Sequence, residues 1–213
     1  VTKTVAKEKP IIFSTEMVRA ILDGRKTQTR RVVKPQPPPR LDGDAGMYAY
    51  KDGWRYGDCE YRNGDVEKPP YPPGTILWVR EAWCRKWQDP QGWTDEFLYK
   101  ADDNRVIHVD DISKSPWKPS IHMPKEAARL FLEVTNVRVE RLQDISYKDI
   151  FAEGTIWGAI GHEIYLTYQD GSSAERVLFR KLWNKLNGKK YPWESNPFCW
   201  VIEFKVVSDP CMC

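Results

Sequence analysis

A chain of 213 residues, 41% of them apolar, can bury a core without disulfide or metal staples, and is a size for one domain carrying insertions. Its 33 basic and 30 acidic residues leave a formal charge of +3, too balanced for a protein that coats duplex DNA by charge alone. No stretch approaches the ~20 apolar residues of a membrane helix, and residues 1–10 are charged, so they do not read as a secretory signal.

Residues 1–10 read as a loose lead-in. Ser14 or Thr15 then caps a short helix, with Glu16 in its first turn and Gly24 just past its end. Met17, Val18, Ile21 and Leu22 fall on one face, which must pack against something. A basic, Thr-rich extended run follows, ending at Val32-Val33. Residues 35–73 are rich in proline at both ends and in glycine and tyrosine between them. Met47, Tyr48, Tyr50 and Trp54 about an Asp52-Gly53 turn predict a hairpin excursion, inserted at the mouth of a barrel. Pro73-Gly74 launches a strand over 75–80.

Residues 86–116 read as polar and turn-rich, with short strands at 99–101 and 105–107. The alternation over 131–142 predicts one long half-buried strand. Ser146 and Asp149 open a second helix that Gly154 ends. A third helix spans 174–187 and stops at Gly188, with Leu178, Leu182 and Leu186 as its stripe. Residues 200–205 form a closing strand. The predicted fold is α+β: a small β-barrel with a few short helices, one domain over 11–207 with the insertion at about 35–73, and a tail at 208–213.

Five scattered cysteines (Cys59, Cys84, Cys199, Cys211 and Cys213) argue against a disulfide framework and for a reducing compartment. His108, His122 and His162 have no ligand spacing, so no metal and no cofactor is expected. Ten tryptophans and ten tyrosines suit either a core or the stacking of bases on exposed rings.

The run Gly24-Arg25-Lys26-Thr27-Gln28-Thr29-Arg30-Arg31, following a short helix, resembles the Gly-x-Lys-x-x-x-x-Arg motif of the ASCH family, whose barrel is related to the PUA RNA-binding fold. Trp78-Val79-Arg80-Glu81-Ala82-Trp83 and residues 117–124 are similar to segments of its phage and prophage members, a likeness that covers most of the chain. The two ends and one helix are similar to the family's bacterial N(4)-acetylcytidine amidohydrolase branch. That branch works with a lysine, a threonine and a glutamate, whose matching positions are Lys26, Thr29 and Glu153. Arg30 stands where the branch has an apolar residue, and the insertion at 35–73 is a second departure.

The resemblance implies a hydrolase acting on an acylated, N(4)-acetylcytidine-like nucleoside or a modified base in nucleic acid. Thr29 would be the nucleophile, Lys26 its general base and Glu153 the acid. The chemistry coheres by itself: cleaving an amide needs a nucleophile, a base and charge stabilisation. A lysine base must fall from about 10.4 toward about 7 to 8, and Arg25, Arg30 and Arg31 are cationic neighbours that push it that way. Glu153 stands at a helix C-terminus, where a carboxylate is disfavoured by roughly 0.3–1 kcal/mol, a local conflict of the kind found at functional sites. Tyr48, Tyr50, Trp54 and Tyr56 are expected to face the cleft and stack on a base. The alternatives are a non-catalytic RNA- or DNA-binding module using the basic run on phosphates, or a single-strand ribonuclease. The expected partner is RNA, single-stranded nucleic acid or a modified nucleoside, met by a monomer in the cytoplasm (the host's, for a phage protein) and away from membranes.

Overall fold

In order along the chain run β1 (Glu8–Ile12), α1 (Thr15–Leu22), β2 (Gln28–Val32), β3 (Met47–Tyr50), β4 (Gly53–Tyr56), β5 (Val66–Glu67) and β6 (Ile76–Arg80). There follow β7 (Trp83–Gln88), β8 (Gly92–Tyr99), β9 (Phe131–Arg141), α2 (Tyr147–Ala152), α3 (Ala174–Asn187) and β10 (Phe198–Val207). The computed structural model describes residues 7–36, 47–50, 53–56, 66–88, 92–102, 117–154 and 173–209. The fold is α+β. A mixed five-stranded sheet has the order β1-β6-β9-β10-β2, beside a three-stranded sheet β3-β4-β5 and a hairpin β7-β8. None of the described helices is long and apolar enough to cross a membrane. The described residues group into two compact units, one within 1–25, 74–133 and 205–213, the other within 26–73 and 134–204.

In the first unit, β1 runs parallel to β6 from Glu8↔Ile76 to Ile12↔Arg80, and β6 pairs antiparallel with the start of β9. Helix α1 starts where the Ser14 hydroxyl accepts the Met17 N–H, 3.4 Å away. It ends in a Schellman motif: the Arg25 N–H donates to the Ala20 carbonyl and the Gly24 N–H to Ile21, both at 2.9 Å. Gly24 takes φ 71° to make that turn, the left-handed region open to glycine. The face of α1 carrying Val18 and Ile21 is buried, as are Ile11, Phe13, Leu77 and Val79.

Trp83, Met123 and Ala127 make a second buried cluster in this unit, packed by Phe97 and Tyr99. Next to it Glu81, 1% exposed, is gripped at both oxygens by the Arg129 guanidinium at 2.9 and 3.1 Å. Burial pushes the Glu81 carboxyl up, and Arg129 only partly reverses this.

Among the described residues, 86–88 and 92–99 depart from the sequence reading. They belong to the β7-β8 hairpin rather than to turns, joined by Trp83↔Tyr99 and Arg85↔Phe97 pairs and interrupted by a bulge between Arg85 and Trp87. Charged residues on one face, with Lys86 to Glu96 at 2.7 Å, hide a strand pattern whose other face carries Trp83, Phe97 and Tyr99. The strand predicted at 99–101 is instead the end of β8 and a turn, and 105–107 lies outside the described residues.

In the second unit, β2 pairs antiparallel with β10 from Gln28↔Glu203 to Val32↔Cys199. Leu142, Ile145, Ile150, Phe179, Trp183, Trp193 and Cys199 form its core, with α2 and α3 laid on it. Helix α3 has the predicted span, but its buried face carries Val177, Phe179 and Trp183, whereas Leu186 is exposed. Phe179 and Trp183, four residues apart with ring centroids at 6.5 Å, take the core in place of the leucine stripe, as large aromatic rings do. The hairpin expected near 47–56 is present as β3 and β4, paired Met47↔Tyr56 through Tyr50↔Gly53. The side chains of Tyr48, Tyr50, Trp54 and Tyr56 lie outside the described residues.

Candidate active site

Lys26 precedes β2 in the second unit and is fully buried. The main chain fixes it: Lys26 forms a bridge with Glu153, the Thr27 N–H donates to the Ala152 carbonyl at 2.9 Å, and the Phe204 N–H donates to the Thr27 carbonyl at 2.9 Å. The segment is thus tied on one side to the end of α2 and on the other to β10.

The Lys26 ammonium donates to the Gln28 carbonyl at 2.8 Å, the Glu153 carbonyl at 2.9 Å and Glu153 Oε2 at 3.0 Å. Three acceptors around a group with three N–H donors is the geometry of a charged lysine. One of them is a carbonyl that the helix end leaves without an intrahelical partner. Burial pulls the amine below the ordinary lysine range, the Glu153 carboxylate pulls it back up, and Arg31 and Arg30 push it down again.

Glu153 is the C-cap of α2, and Gly154 turns the chain away at φ 81°. Its second oxygen, Oε1, accepts from Arg30 at 3.1 Å. Two cations therefore offset the conflict between a carboxylate and the negative end of a helix. Arg30 also reaches Glu140 at 2.9 Å and Asp149 at 3.4 Å, with its side chain only 1% exposed. Arg138 braces the same carboxylates, donating to Glu140 at 2.5 Å, to Asp149 at 3.0 Å and to Glu203. Burial pushes the Asp149 carboxyl up, but the Ser146 hydroxyl, Arg30 and Arg138 together carry it below its ordinary value.

Of the residues singled out from the sequence, Lys26, Arg30 and Glu153 meet in one network. Thr29 is buried on β2 and, by strand alternation, points to the face opposite Gln28 and Arg30, the face shared with Arg31. Burial lowers the Arg31 guanidinium, with Tyr71 and Glu153 opposing it. Arg25 lies in the first unit, is exposed and pairs with Asp23 at 2.6 Å. Glu140, Arg138, Asp149 and Glu203 are absent from the sequence reading. Two faint signals precede them: Arg138 and Glu140 share one face of β9, and Asp149 stands one helical turn before Glu153.

The Cys199 thiol is sealed in the core, and burial pushes it up to about 12. Among the described residues no group of histidine, cysteine and carboxylate side chains could hold a metal ion. No family model, no curated protein and no solved structure matches the chain.

Proposed function

We propose that the chain is an ASCH-type hydrolase that removes an acyl group from the exocyclic amine of a nucleobase, N(4)-acetylcytidine being the simplest substrate. In this reading the five-stranded sheet belongs to a PUA-like barrel, and the Lys26–Glu153 pair is its chemical centre. The observation that carries the reading is that pair: a buried lysine and glutamate at 3.0 Å, within three residues of a buried threonine.

Thr29 Oγ attacks the acyl carbon. Because Thr29 faces away from Arg30 on β2, its proton reaches Lys26 Nζ through a bridging water, as Lys26 hands one of its own to Glu153 Oε2. The C–N bond then breaks, and the departing amine takes the proton from Glu153. Water attacks the Thr29 ester in the second half, losing a proton to the same pair and restoring the threonine hydroxyl. Lys26 is closed to solvent, so turnover requires the substrate to enter beside Glu153, 7% exposed.

The rival reading, a phosphate-binding basic run, is weakened by what the arginines do. Arg30 is spent on three carboxylates and Arg25 is paired with Asp23. The deciding experiment is release of acetate from N(4)-acetylcytidine, free and within a short single-stranded RNA, by wild type, Lys26→Ala and Thr29→Ala. Folded wild-type protein that releases none from either, while still binding the RNA, would replace the hydrolase with the binding module.

A further inference from the structure

Beside the ion network, still within the second unit, lies a cavity of about 290 Å³ lined by Thr27, Gln28, Thr135, Asp149, Glu203 and Lys148 among others. It has room for roughly ten waters, the lower end of the range for small-molecule sites.

Gln28 is the informative residue. Only 3% of it is exposed, and its side-chain Nε2 donates to the Asp149 main-chain carbonyl at 3.2 Å. A carbonyl can only accept, so the amide orientation is fixed and Oε1 is the end left over. No donor among the described residues reaches it. That oxygen is not sealed inside the protein, so it opens on the cavity that Gln28 lines, where a ligand's N–H can take the place of water.

Glu203 offers a second acceptor. Arg138 holds Oε1, and Oε2 has no partner among the described residues. Asp149 adds nothing, because Arg138, Arg30 and Ser146 already occupy its oxygens. The wall therefore offers acceptors that call for donors, Gln28 Oε1 and Glu203 Oε2. The Lys148 ammonium, exposed and without an ion pair among the described residues, supplies the opposite charge.

We propose that this cavity binds a small primary ammonium compound of the amino-acid class, its ammonium group on Gln28 Oε1 and Glu203, its carboxylate toward Lys148. Gln28 also gives its main-chain carbonyl to Lys26, and cavity-lining Ala152 adjoins Glu153, so an occupant sits one residue from the buried pair. The proposal does not depend on the hydrolase reading.

The test is titration calorimetry on the full chain with L-serine, L-glutamine and L-lysine, with 1,4-diaminobutane and sodium propionate as single-charge-type probes. At least one amino acid should bind saturably below about 10 mM. Glu203→Gln should weaken it about tenfold or more, the loss of one charge-assisted hydrogen bond. Lys148→Met should weaken the amino acid and leave the diamine unchanged. Gln28→Leu should weaken both, and since it alters a buried residue, its thermal unfolding is recorded alongside; Glu203→Gln carries the test if it fails to fold. No saturable binding by any amino acid, equal binding of propionate, or binding untouched by Glu203→Gln would each overturn the site. A diamine that binds more tightly than every amino acid would overturn the assigned class.

Discussion

The Lys26 ammonium bonds both ends of Glu153, the carboxylate at 3.0 Å and the main-chain carbonyl at 2.9 Å, so one side chain neutralises the glutamate and caps the helix that carries it. Removing one member of a buried pair strands the other. Lys26→Met should therefore cost about 3–5 kcal/mol of stability in urea unfolding. The double variant Lys26→Met/Glu153→Leu should be more stable than Lys26→Met alone. Additive losses would mean that the pair is not coupled as its geometry requires.

Lys26→Arg separates chemistry from charge. The guanidinium stays protonated near neutral pH and its planar fork cannot occupy the ammonium's tripod of acceptors. Acetate release should vanish, whereas a role confined to charge would leave much of it. Hydrolysis surviving in Lys26→Arg would remove the proton-transfer role assigned to the lysine.

Acid should weaken the second unit through Asp149. Its folded value lies below the ordinary one of 3.8, so its contribution is present above that value and is lost as pH falls toward and through the lower folded value. Asp149→Asn should lower stability at pH 7 and flatten the decline between roughly pH 5 and pH 2. A decline of unchanged steepness in the variant would assign the acid sensitivity to other carboxylates.

Gly24→Ala isolates a backbone effect. An added Cβ there would meet nothing within 4 Å, yet φ is 71°. The expected loss is about 1–2 kcal/mol from the left-handed conformation alone, read as a lower midpoint in thermal unfolding. A neutral substitution would mean that the turn after α1 relaxes without cost.

Cys199 should stay unmodified by iodoacetamide in the folded protein at pH 8 and react once urea unfolds it, as peptide mass spectrometry would read. Its thiol is buried and pushed up to about 12. Labelling of the native protein at this position would contradict the packed core around β10.

The helices were legible because their ends are written locally. Ser14 and Gly24 bound α1, Ser146 and Gly154 bound α2, and Gly188 stops α3. The long strand β9 was legible from its alternation. The β7-β8 hairpin was not, because Arg85, Lys86, Asp95 and Glu96 mask its period, and cross-strand pairing rather than local preference makes it. At the site, the resemblance named Lys26 and Glu153. It said nothing of Arg30's partners, which lie 110 to 123 residues away, because contacts at that separation leave no trace in a local pattern.

That separation also orders events during synthesis. Helix α2 has six residues, too few to persist alone in water, and its last carbonyl is capped by a lysine made 127 residues earlier. A ribosome therefore releases Lys26 long before its partner exists, and the ammonium stays hydrated until α2 arrives. Closing so long a loop comes late in folding, so β2 and the end of α2 are expected to gain protection against amide exchange together, after the locally bounded α1 and α3.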